Sequence, residues 1–384
     1  MNHKQISRCV SVRLKQSNCC YDILVGPGSL DLVGEEARSG LGQRARSAVV
    51  ISNRKVMSLY GKRVIESLSR SDFKVTTFLI GDGERYKSFA TLQGALSFLA
   101  TVGLERSDLV VALGGGVVGD LAGLAAALYL RGIPYIQVPT TLLAQIDASV
   151  GGKTAVNLPQ GKNLVGAFHQ PRAVIVDIKT LCTLPQRELT AGWCEALKQG
   201  AVGSRLLFQQ TRRLLADRSE LANLDDRLAS LVASQCRFKV SIVAGDEREE
   251  LDRVDHRSRR VLNFGHTVGH ALEAVTGYRR FKHGEAVGYG MLVAGDISRR
   301  TGLLKESEFQ RLREAIQLCG PLPRTNDLEP RVIVNALRRD KKQLNGHLQW
   351  ILLESVGRAR IVDENEVSPD ILLASIRAGL QGAR

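Results

Sequence analysis

The residues best suited to chemistry are two histidines four positions apart. His266 and His270 lie in the segment Leu-Asn-Phe-Gly-His-Thr-Val-Gly-His, and a four-residue step places both imidazoles on one helix face. His283 follows after a short loop, and Glu195 lies well upstream. Imidazole nitrogens and a carboxylate oxygen are ligands of catalytic zinc, which keeps one position open. The pattern predicts a metal ion acting as a Lewis acid, without indicating what it polarises.

The N-terminal part of the chain has the pattern of a parallel α/β sheet. Helical patterns over residues 89–102 and 117–129 alternate with β-branched, strand-like segments at 48–53, 75–80, 109–113, 136–138 and 173–177. The carboxyl ends of such strands line a ligand crevice. Beyond about residue 185, amphipathic helical patterns such as 206–215 and 221–243 replace them. We expect a Rossmann-like α/β domain over 1–187 and a mostly α-helical domain over 188–384, which contains the predicted metal ligands.

Composition excludes several classes of protein. The 384 residues are 44% hydrophobic and 24% charged, as in an ordinary globular protein. The net charge of +14 comes from basic residues spread along the chain, and aromatics are only 5%, so we expect no nucleic-acid partner. Seven cysteines without C-x-x-C spacing favour a reducing cytoplasm. No apolar run reaches the length of a bilayer span, so we expect neither export nor membrane insertion.

A glycine-rich turn follows the third predicted strand. Residues 114–120 read Gly-Gly-Gly-Val-Val-Gly-Asp, which matches G-x-G-x-x-G and would let backbone N–H groups approach a pyrophosphate. Alone the match is weak, because two strands precede it and no acid ends the next strand. A tight structural turn explains it equally well. Polar residues at the other strand ends, among them Asn53, Thr140 and Thr141, strengthen the prediction of a binding crevice.

Lysines near glycines follow the fourth strand. Asp147 precedes the segment Val-Gly-Gly-Lys that ends at Lys153, and Lys162 and Asn163 follow Gly161. Lysine ammonium groups beside exposed backbone suit anionic ligands, whereas ordinary surface loop charge is the alternative.

An ordered set of motifs over about residues 53–342 resembles the 3-dehydroquinate synthase family of the sugar-phosphate cyclase superfamily. The motifs are GDGExxK from Gly81, GGGVVGD from Gly114, RGI from Arg131, PTTLLAQxDxSVGGK from Pro139, GKN from Gly161, ExxK from Glu195, LNFGHTxGH from Leu262, HGEAV from His283 and DKK from Asp340.

The resemblance implies a dehydroquinate synthase-like fold and a lyase of the shikimate pathway. Such an enzyme converts 3-deoxy-D-arabino-heptulosonate 7-phosphate into 3-dehydroquinate and phosphate, for aromatic amino acid biosynthesis. NAD oxidises a secondary hydroxyl, which acidifies the neighbouring C–H for phosphate elimination, and then returns the hydride before ring opening and aldol closure. The resemblance further implies a divalent metal, Zn²⁺ or Co²⁺, a homodimer, and an active site in the cleft between the two domains.

Site roles follow from the resemblance, position by position. The implied metal ligands are Glu195, His266 and His283. Lys198 and Asp147 would orient the hydroxyl and relay its proton, and His270 would act as acid or base beside the leaving phosphate. The implied phosphate contacts are Lys153, Asn163, Asn263, His270, one of Lys341 and Lys342, and Arg131 of the other subunit. Lys239 and Arg259 would hold the substrate carboxylate.

The resemblance also assigns the cofactor side. The implied NAD-binding residues are Asn53, Asp82, Gly83, Glu84, Arg85, Tyr86, Lys87, Gly114, Gly115, Gly116, Val117, Val118, Gly119, Asp120, Thr140, Thr141, Lys153, Lys162, Thr180, Leu181, Cys182 and Thr183.

Two departures from the family pattern affect these assignments. The chain is about six residues longer than usual between residues 246–247 and Arg259, so choosing Arg259 over Arg257 or Arg260 rests on its distance from Asn263. We expect this charged run, 246–260, to form a solvated loop that points outward. Cys194 precedes Glu195, and on a helix its side chain points elsewhere, so we interpret it as packing.

Three alternatives remain at this stage. Other sugar-phosphate cyclases share fold, NAD and metal, although Asn263, His270 and the Asp-Lys-Lys element favour a substrate with a carboxylate and a phosphate. A metal-dependent polyol dehydrogenase of related fold would release NADH stoichiometrically. A basic nucleic-acid binder would show salt-dependent duplex affinity and no phosphate release.

Overall fold

A computed structural model describes residues 8–15, 18–217, 225–250, 253–343 and 349–381, without the side chains of 225 and 338–343. The strands are β1 (Arg8–Leu14), β2 (Cys19–Gly26), β3 (Ser47–Asn53), β4 (Lys74–Ile80), β5 (Leu109–Gly114), β6 (Tyr135–Pro139), β7 (Lys153–Leu158), β8 (Gly161–Phe168), β9 (Ala173–Asp177), β10 (Gln349–Ser355) and β11 (Arg358–Asp363). The helices are α1 (Val33–Leu41), α2 (Arg54–Val56), α3 (Lys62–Arg70), α4 (Phe89–Thr101), α5 (Gly116–Leu128), α6 (Gln186–Gly203), α7 (Arg205–Ala216), α8 (Asp225–Gly245), α9 (His266–Val275), α10 (His283–Arg300), α11 (Glu306–Leu318), α12 (Pro330–Gln343) and α13 (Pro369–Gln381).

The chain divides into two compact units. Unit 1 consists of Met1–Leu184 and Leu224–Ala244, and unit 2 of Pro185–Asn223 and Gly245–Arg384. Unit 1 contains a seven-stranded sheet in the order β1-β2-β9-β6-β5-β3-β4. Every pair in it is parallel except β1 with β2. The predicted α/β fold and its five predicted strands are confirmed.

The central strands are apolar because both faces of the sheet are covered. All six residues of β5 are buried, and separate apolar clusters lie on its two sides. The cluster on one side includes residues of α4 and α5, and the other includes residues of α1 and α3. A strand covered on both faces has the continuous Val/Leu pattern by which these strands were predicted.

Helix α8 belongs to unit 1, although the predicted boundary at residue 187 placed it in the helical domain. The structure differs from that prediction because α8 bonds to the segment after β6. The Cys236 thiol lies 3.3 Å from the Gln145 carbonyl oxygen, and Lys239 Nζ lies 2.7 Å from the Asp147 carbonyl oxygen. The chain therefore returns to unit 1 after forming α6 and α7.

Over its described residues, unit 2 is mostly helical, as predicted, with one two-stranded sheet, β10-β11, that was not predicted from the sequence. The hairpins β1-β2 and β7-β8 of unit 1 were not predicted either. Among the described residues, no helix is both long enough and apolar enough to cross a bilayer.

Candidate active site

Helices α9 and α10 approach each other closely at glycines, and this contact brings together the histidines at their first positions. A Cβ atom on Gly290 would lie 1.8 Å from the Gly265 carbonyl oxygen, so no side chain fits there. Gly265 caps α9 with a φ of 80°, a backbone conformation that glycine adopts without strain. His266 and His283, the first residues of the two helices, are thereby held near each other.

The three predicted histidines converge. His266, His270 and His283 each offer a nitrogen, and these nitrogens all lie within 4.8 Å of one another. The ring centroids of His266 and His270 are 5.4 Å apart, which confirms that a four-residue step on α9 places them on one face. His283 lies 5.0 Å from the His266 ring and 5.7 Å from the His270 ring.

Glu195 on α6 completes this group. Its carboxylate is buried, and Oε1 lies 3.9 Å from His266 Nε2 and 3.8 Å from His283 Nε2. These distances are too long for hydrogen bonds, and Oε1 accepts none from the described residues. Two atoms that bind the same tetrahedral zinc ion lie about 3.4 Å from each other. The spacing and the unsatisfied oxygen therefore fit a shared divalent cation.

The protonation state of His266 also fits metal binding. Burial lowers the pKa of His266 well below its usual value, and the nearby Lys198, His283 and His270 charges lower it further. The imidazole is therefore neutral at physiological pH, with a lone pair available. A metal ligand must be deprotonated in this way.

Lys198 is buried one turn after Glu195. Its Nζ lies 2.5 Å from Glu195 Oε2, and both side chains are almost fully excluded from solvent. A lysine shielded from water beside a buried carboxylate can hold a substrate hydroxyl and transfer its proton. The sequence alone indicated only a helix-face lysine, whose ordinary position is in solvent.

Arg259 is buried, which corrects the prediction of a wholly solvated loop over 246–260. The Asp246 carboxylate accepts hydrogen bonds from the Arg259 backbone N–H at 2.7 Å and from Ser258 Oγ at 3.3 Å. Arg259 Nη1 donates to the Glu247 carbonyl oxygen at 2.8 Å. The two ends of the run are thus bonded and buried, while residues 254–257 are exposed as expected. Arg257 is among the exposed residues.

In unit 1, the glycine turn lies between β5 and α5. The N-terminal cap of α5 is Gly115, which supplies no side-chain cap, so anions can approach the backbone of the first turn. Space there is limited: a Cβ on Gly114 would lie 2.6 Å from Val118 Cγ2, and one on Gly115 would lie 3.0 Å from Thr141 Cγ2. Thr141 therefore lies beside the turn, as expected of a shared binding surface.

Other predicted cofactor residues of unit 1 form two connected groups. Asn53 Nδ2 donates to Asp82 Oδ1 at 3.2 Å, which joins the ends of β3 and β4. Lys87 Nζ lies 2.5 Å from Asp120 Oδ2 and 2.5 Å from Asn163 Oδ1. Burial raises the pKa of Asp120, and the Lys87 charge opposes that rise. Asn163, predicted to contact phosphate, is thus connected to residues predicted to bind the cofactor.

Asp147 and Lys239, predicted for different tasks, are paired. Lys239 Nζ lies 2.5 Å from Asp147 Oδ1. Lys239 Nζ also donates to the Asp147 carbonyl oxygen at 2.7 Å, so Asp147 fixes the position of this cation through two oxygens.

The remaining predicted residues are more dispersed. Thr180 and Thr183 lie near one another, because Tyr60 bonds to the Thr180 carbonyl and the Thr183 hydroxyl. Asn263 is exposed and donates to Glu249 Oε1 at 3.2 Å. Two cationic residues that were also predicted to contact the phosphate, Lys153 and Arg131, are exposed. The side chains of Lys341 and Lys342 lie outside the described residues.

Comparison with known proteins decides the family. The model for "3-dehydroquinate synthase N-terminal" matches residues 77–191, and that for "3-dehydroquinate synthase C-terminal" matches residues 192–343. The chain belongs to the 3-dehydroquinate synthase family. The resemblance inferred from the motifs is confirmed.

Relatives of this 3-dehydroquinate synthase family member cover nearly its whole length. The 3-dehydroquinate synthase of Pelotomaculum thermopropionicum is 45% identical over 94% of this chain and 94% of its own. A 2-epi-5-epi-valiolone synthase of Streptomyces hygroscopicus, solved with NAD+ and Zn2+, has a TM-score of 0.81 at 28% identity, covering 94% of this chain and 96% of its own. A 2-deoxy-scyllo-inosose synthase, solved with carbaglucose-6-phosphate, NAD+ and Co2+, has a TM-score of 0.80 at 26% identity, covering 97% and 100%.

One residue at the histidine cluster of this 3-dehydroquinate synthase family member was not predicted from the sequence. Glu273 is buried, and its Oε2 lies 3.2 Å from His283 Nδ1. A signal was present: Glu273 follows His266 by seven residues, so both occupy one face of α9.

Proposed function

We propose that this protein is a 3-dehydroquinate synthase, a lyase that converts 3-deoxy-D-arabino-heptulosonate 7-phosphate into 3-dehydroquinate and phosphate in the shikimate pathway. The observation that carries the proposal is the convergence of the Glu195 carboxylate with His266 and His283 beside buried Lys198. This is the arrangement that a metal-assisted alcohol oxidation requires. The 45% identity to a 3-dehydroquinate synthase supports the same reaction over the related cyclases.

NAD and a divalent metal, Zn²⁺ or Co²⁺, are its cofactors: NAD supplies the transient oxidation, and the metal polarises the reacting oxygens. Glu195, His266 and His283 would hold the metal. Lys198 would orient the hydroxyl and receive its proton, and Asp147 would take part in the relay. His270, exposed at the edge of the cluster, would act as acid or base for the departing phosphate.

The substrate's two anionic groups need fixed cations. Arg259 suits the carboxylate, because Asp246 and the Glu247 carbonyl hold it in one position before the ligand arrives. Lys239, held by Asp147, would assist it. The phosphate would be bound by Lys153, Asn163, Asn263, His270 and one of Lys341 and Lys342, and NAD by the glycine turn and the surrounding strand ends.

A phosphate-release assay tests the proposed reaction. We expect the purified protein, given the heptulosonate phosphate and NAD, to release one phosphate for each 3-dehydroquinate formed, without accumulating NADH. Removal of metal by a chelator should abolish release, and added Zn²⁺ or Co²⁺ should restore it. Stoichiometric NADH would instead indicate a polyol dehydrogenase. If the protein turned over a sugar phosphate that lacks a carboxylate but did not turn over the heptulosonate phosphate, it would be another cyclase.

We further propose a cytoplasmic homodimer that uses an apolar surface of unit 1. The exposed large apolar side chains of unit 1 include four at the end of α5 and on β8: Leu164 at 60%, Leu128 at 49%, Phe168 at 48% and Leu130 at 45%. The elements carrying them are connected, because the His169 ring bonds to the Ile133 carbonyl oxygen at 2.9 Å. Arg131 lies beside Leu130, where a second copy could receive it. The seven free cysteines suit a reducing compartment.

Negative charge introduced on this surface by substitution should separate the two subunits. We expect the double variant Leu164→Glu, Phe168→Glu to be monomeric, because burying two carboxylates in an apolar contact is costly. It should also lose activity if Arg131 serves the partner's site. Light scattering coupled to size exclusion measures the mass. Leu206→Glu, at a 64% exposed leucine of unit 2, is the control and should leave the mass unchanged. A double variant with the same mass as the wild type would contradict the proposed surface.

A further inference from the structure

Glu273 has no evident role in the stability of its own helix. It lies two residues before the last position of α9, in a turn where no basic residue is present and the helix dipole disfavours negative charge. It is also only 2% exposed, and a buried carboxylate costs free energy unless it is hydrogen-bonded or paired. A specific partner must therefore account for its position.

That partner is His283. Glu273 Oε2 lies 3.2 Å from Nδ1 of the ring, while Nε2 of the same ring lies 3.8 Å from Glu195 Oε1. The ring thus lies between two carboxylates, each facing a different nitrogen. A carboxylate at Nδ1 keeps the proton on that nitrogen and leaves the Nε2 lone pair directed at Glu195.

His283 depends on such a partner more than His266 does. His283 is the first residue of α10, and its side chain is 33% exposed, so burial restricts its ring less than that of His266. The His266 side chain is only 14% exposed, and its Nδ1 lies 3.4 Å from the Phe264 carbonyl oxygen. Burial and the backbone therefore restrict the His266 ring, whereas the Glu273 carboxylate contacts the more exposed His283 ring.

We infer that Glu273 is a positioning residue, which fixes the tautomer and orientation of His283 for metal binding through Nε2. This inference rests on the proposed function, because it assumes that Glu195, His266 and His283 hold the metal. Loss of such outer partners typically weakens metal binding about 10- to 100-fold.

Zinc affinity tests the inference independently of activity. The full-length protein, freed of metal, competes with a chromophoric chelator for Zn²⁺, for wild type, Glu273→Gln, Glu273→Ala and His283→Ala. We expect Glu273→Ala to bind zinc about 10- to 100-fold more weakly. Glu273→Gln should lose less, because its amide oxygen can still accept from Nδ1. Nitrogen NMR of His283 should show a single Nδ1–H tautomer in the wild type and a mixture in Glu273→Ala.

A matched control separates positioning from general damage. Glu308 is likewise a buried carboxylate of unit 2, paired with Arg205, and Glu308→Gln should lower stability without changing zinc affinity. Wild-type affinity in both Glu273 variants, with His283→Ala weakened, would overturn this inference alone. If Glu273→Ala does not fold, wild-type affinity and tautomer in Glu273→Gln would overturn it. Unchanged zinc binding by His283→Ala would overturn the proposed metal site itself.

Discussion

His266→Ala should lower kcat/KM for phosphate release by about 10³-fold or more, because the several kcal/mol of charge stabilisation that a catalytic metal supplies would be lost. His266 is the most enclosed of the three histidines and lies 3.9 Å from the Glu195 carboxylate. The variant should therefore also bind Zn²⁺ far more weakly. Kinetics at saturating NAD and chelator competition for zinc measure the two effects.

His256→Ala is the matched control, since His256 is exposed on the charged segment after Asp246. We expect both its activity and its zinc affinity to equal those of the wild type. A His266→Ala variant that retained tight zinc binding and turnover would show that the metal, if any, binds elsewhere.

Lys198→Met should lower kcat by about 10²- to 10⁴-fold, the usual contribution of a positioned acid or base. Metal binding should survive, because Glu195 and the histidines remain. The change should also destabilise the metal-free protein by about 3–5 kcal/mol, since Glu195 would keep a buried charge without its cation. Bound zinc should remove most of that loss by replacing the cation. Kinetics with added zinc, and urea unfolding with and without zinc, test these effects.

Lys62→Met provides the comparison for a lysine in solvent. Its ion pair with Glu66 is exposed and should contribute less than about 1 kcal/mol, with no effect on turnover. Full activity in Lys198→Met would contradict the role of this lysine. Equal destabilisation with and without zinc would show that the metal does not replace its charge.

Periodic features were predictable from the sequence, because burial imposes them residue by residue. The sheet strands are fully covered, so continuous apolar runs identified them. The helix step identified the face shared by His266 and His270, and Glu273 would have followed from the same argument. Features that depend on distant partners were not predictable. The apolar pattern of α8 is typical of any buried helix and does not indicate that it packs in unit 1.

Burial of charge was the least predictable feature. Asp246 and Arg259 lie in a segment dense in acidic and basic residues, a composition typical of solvated loops. They are buried because Asp246 bonds to the backbone at the far end of the segment, thirteen residues later in the chain. The same applies to Lys198, whose burial depends on its pairing with Glu195.

The return of α8 to unit 1 has a consequence for biosynthesis. During translation, residues 1–184 are synthesised before α8, the helix whose Lys239 pairs with Asp147. Asp147 and Gln145 therefore lack these contacts with α8 while residues 185–223 are synthesised. A fragment ending at Leu184 should consequently be less stable than the same residues in the intact polypeptide, because the stabilising helix is encoded later.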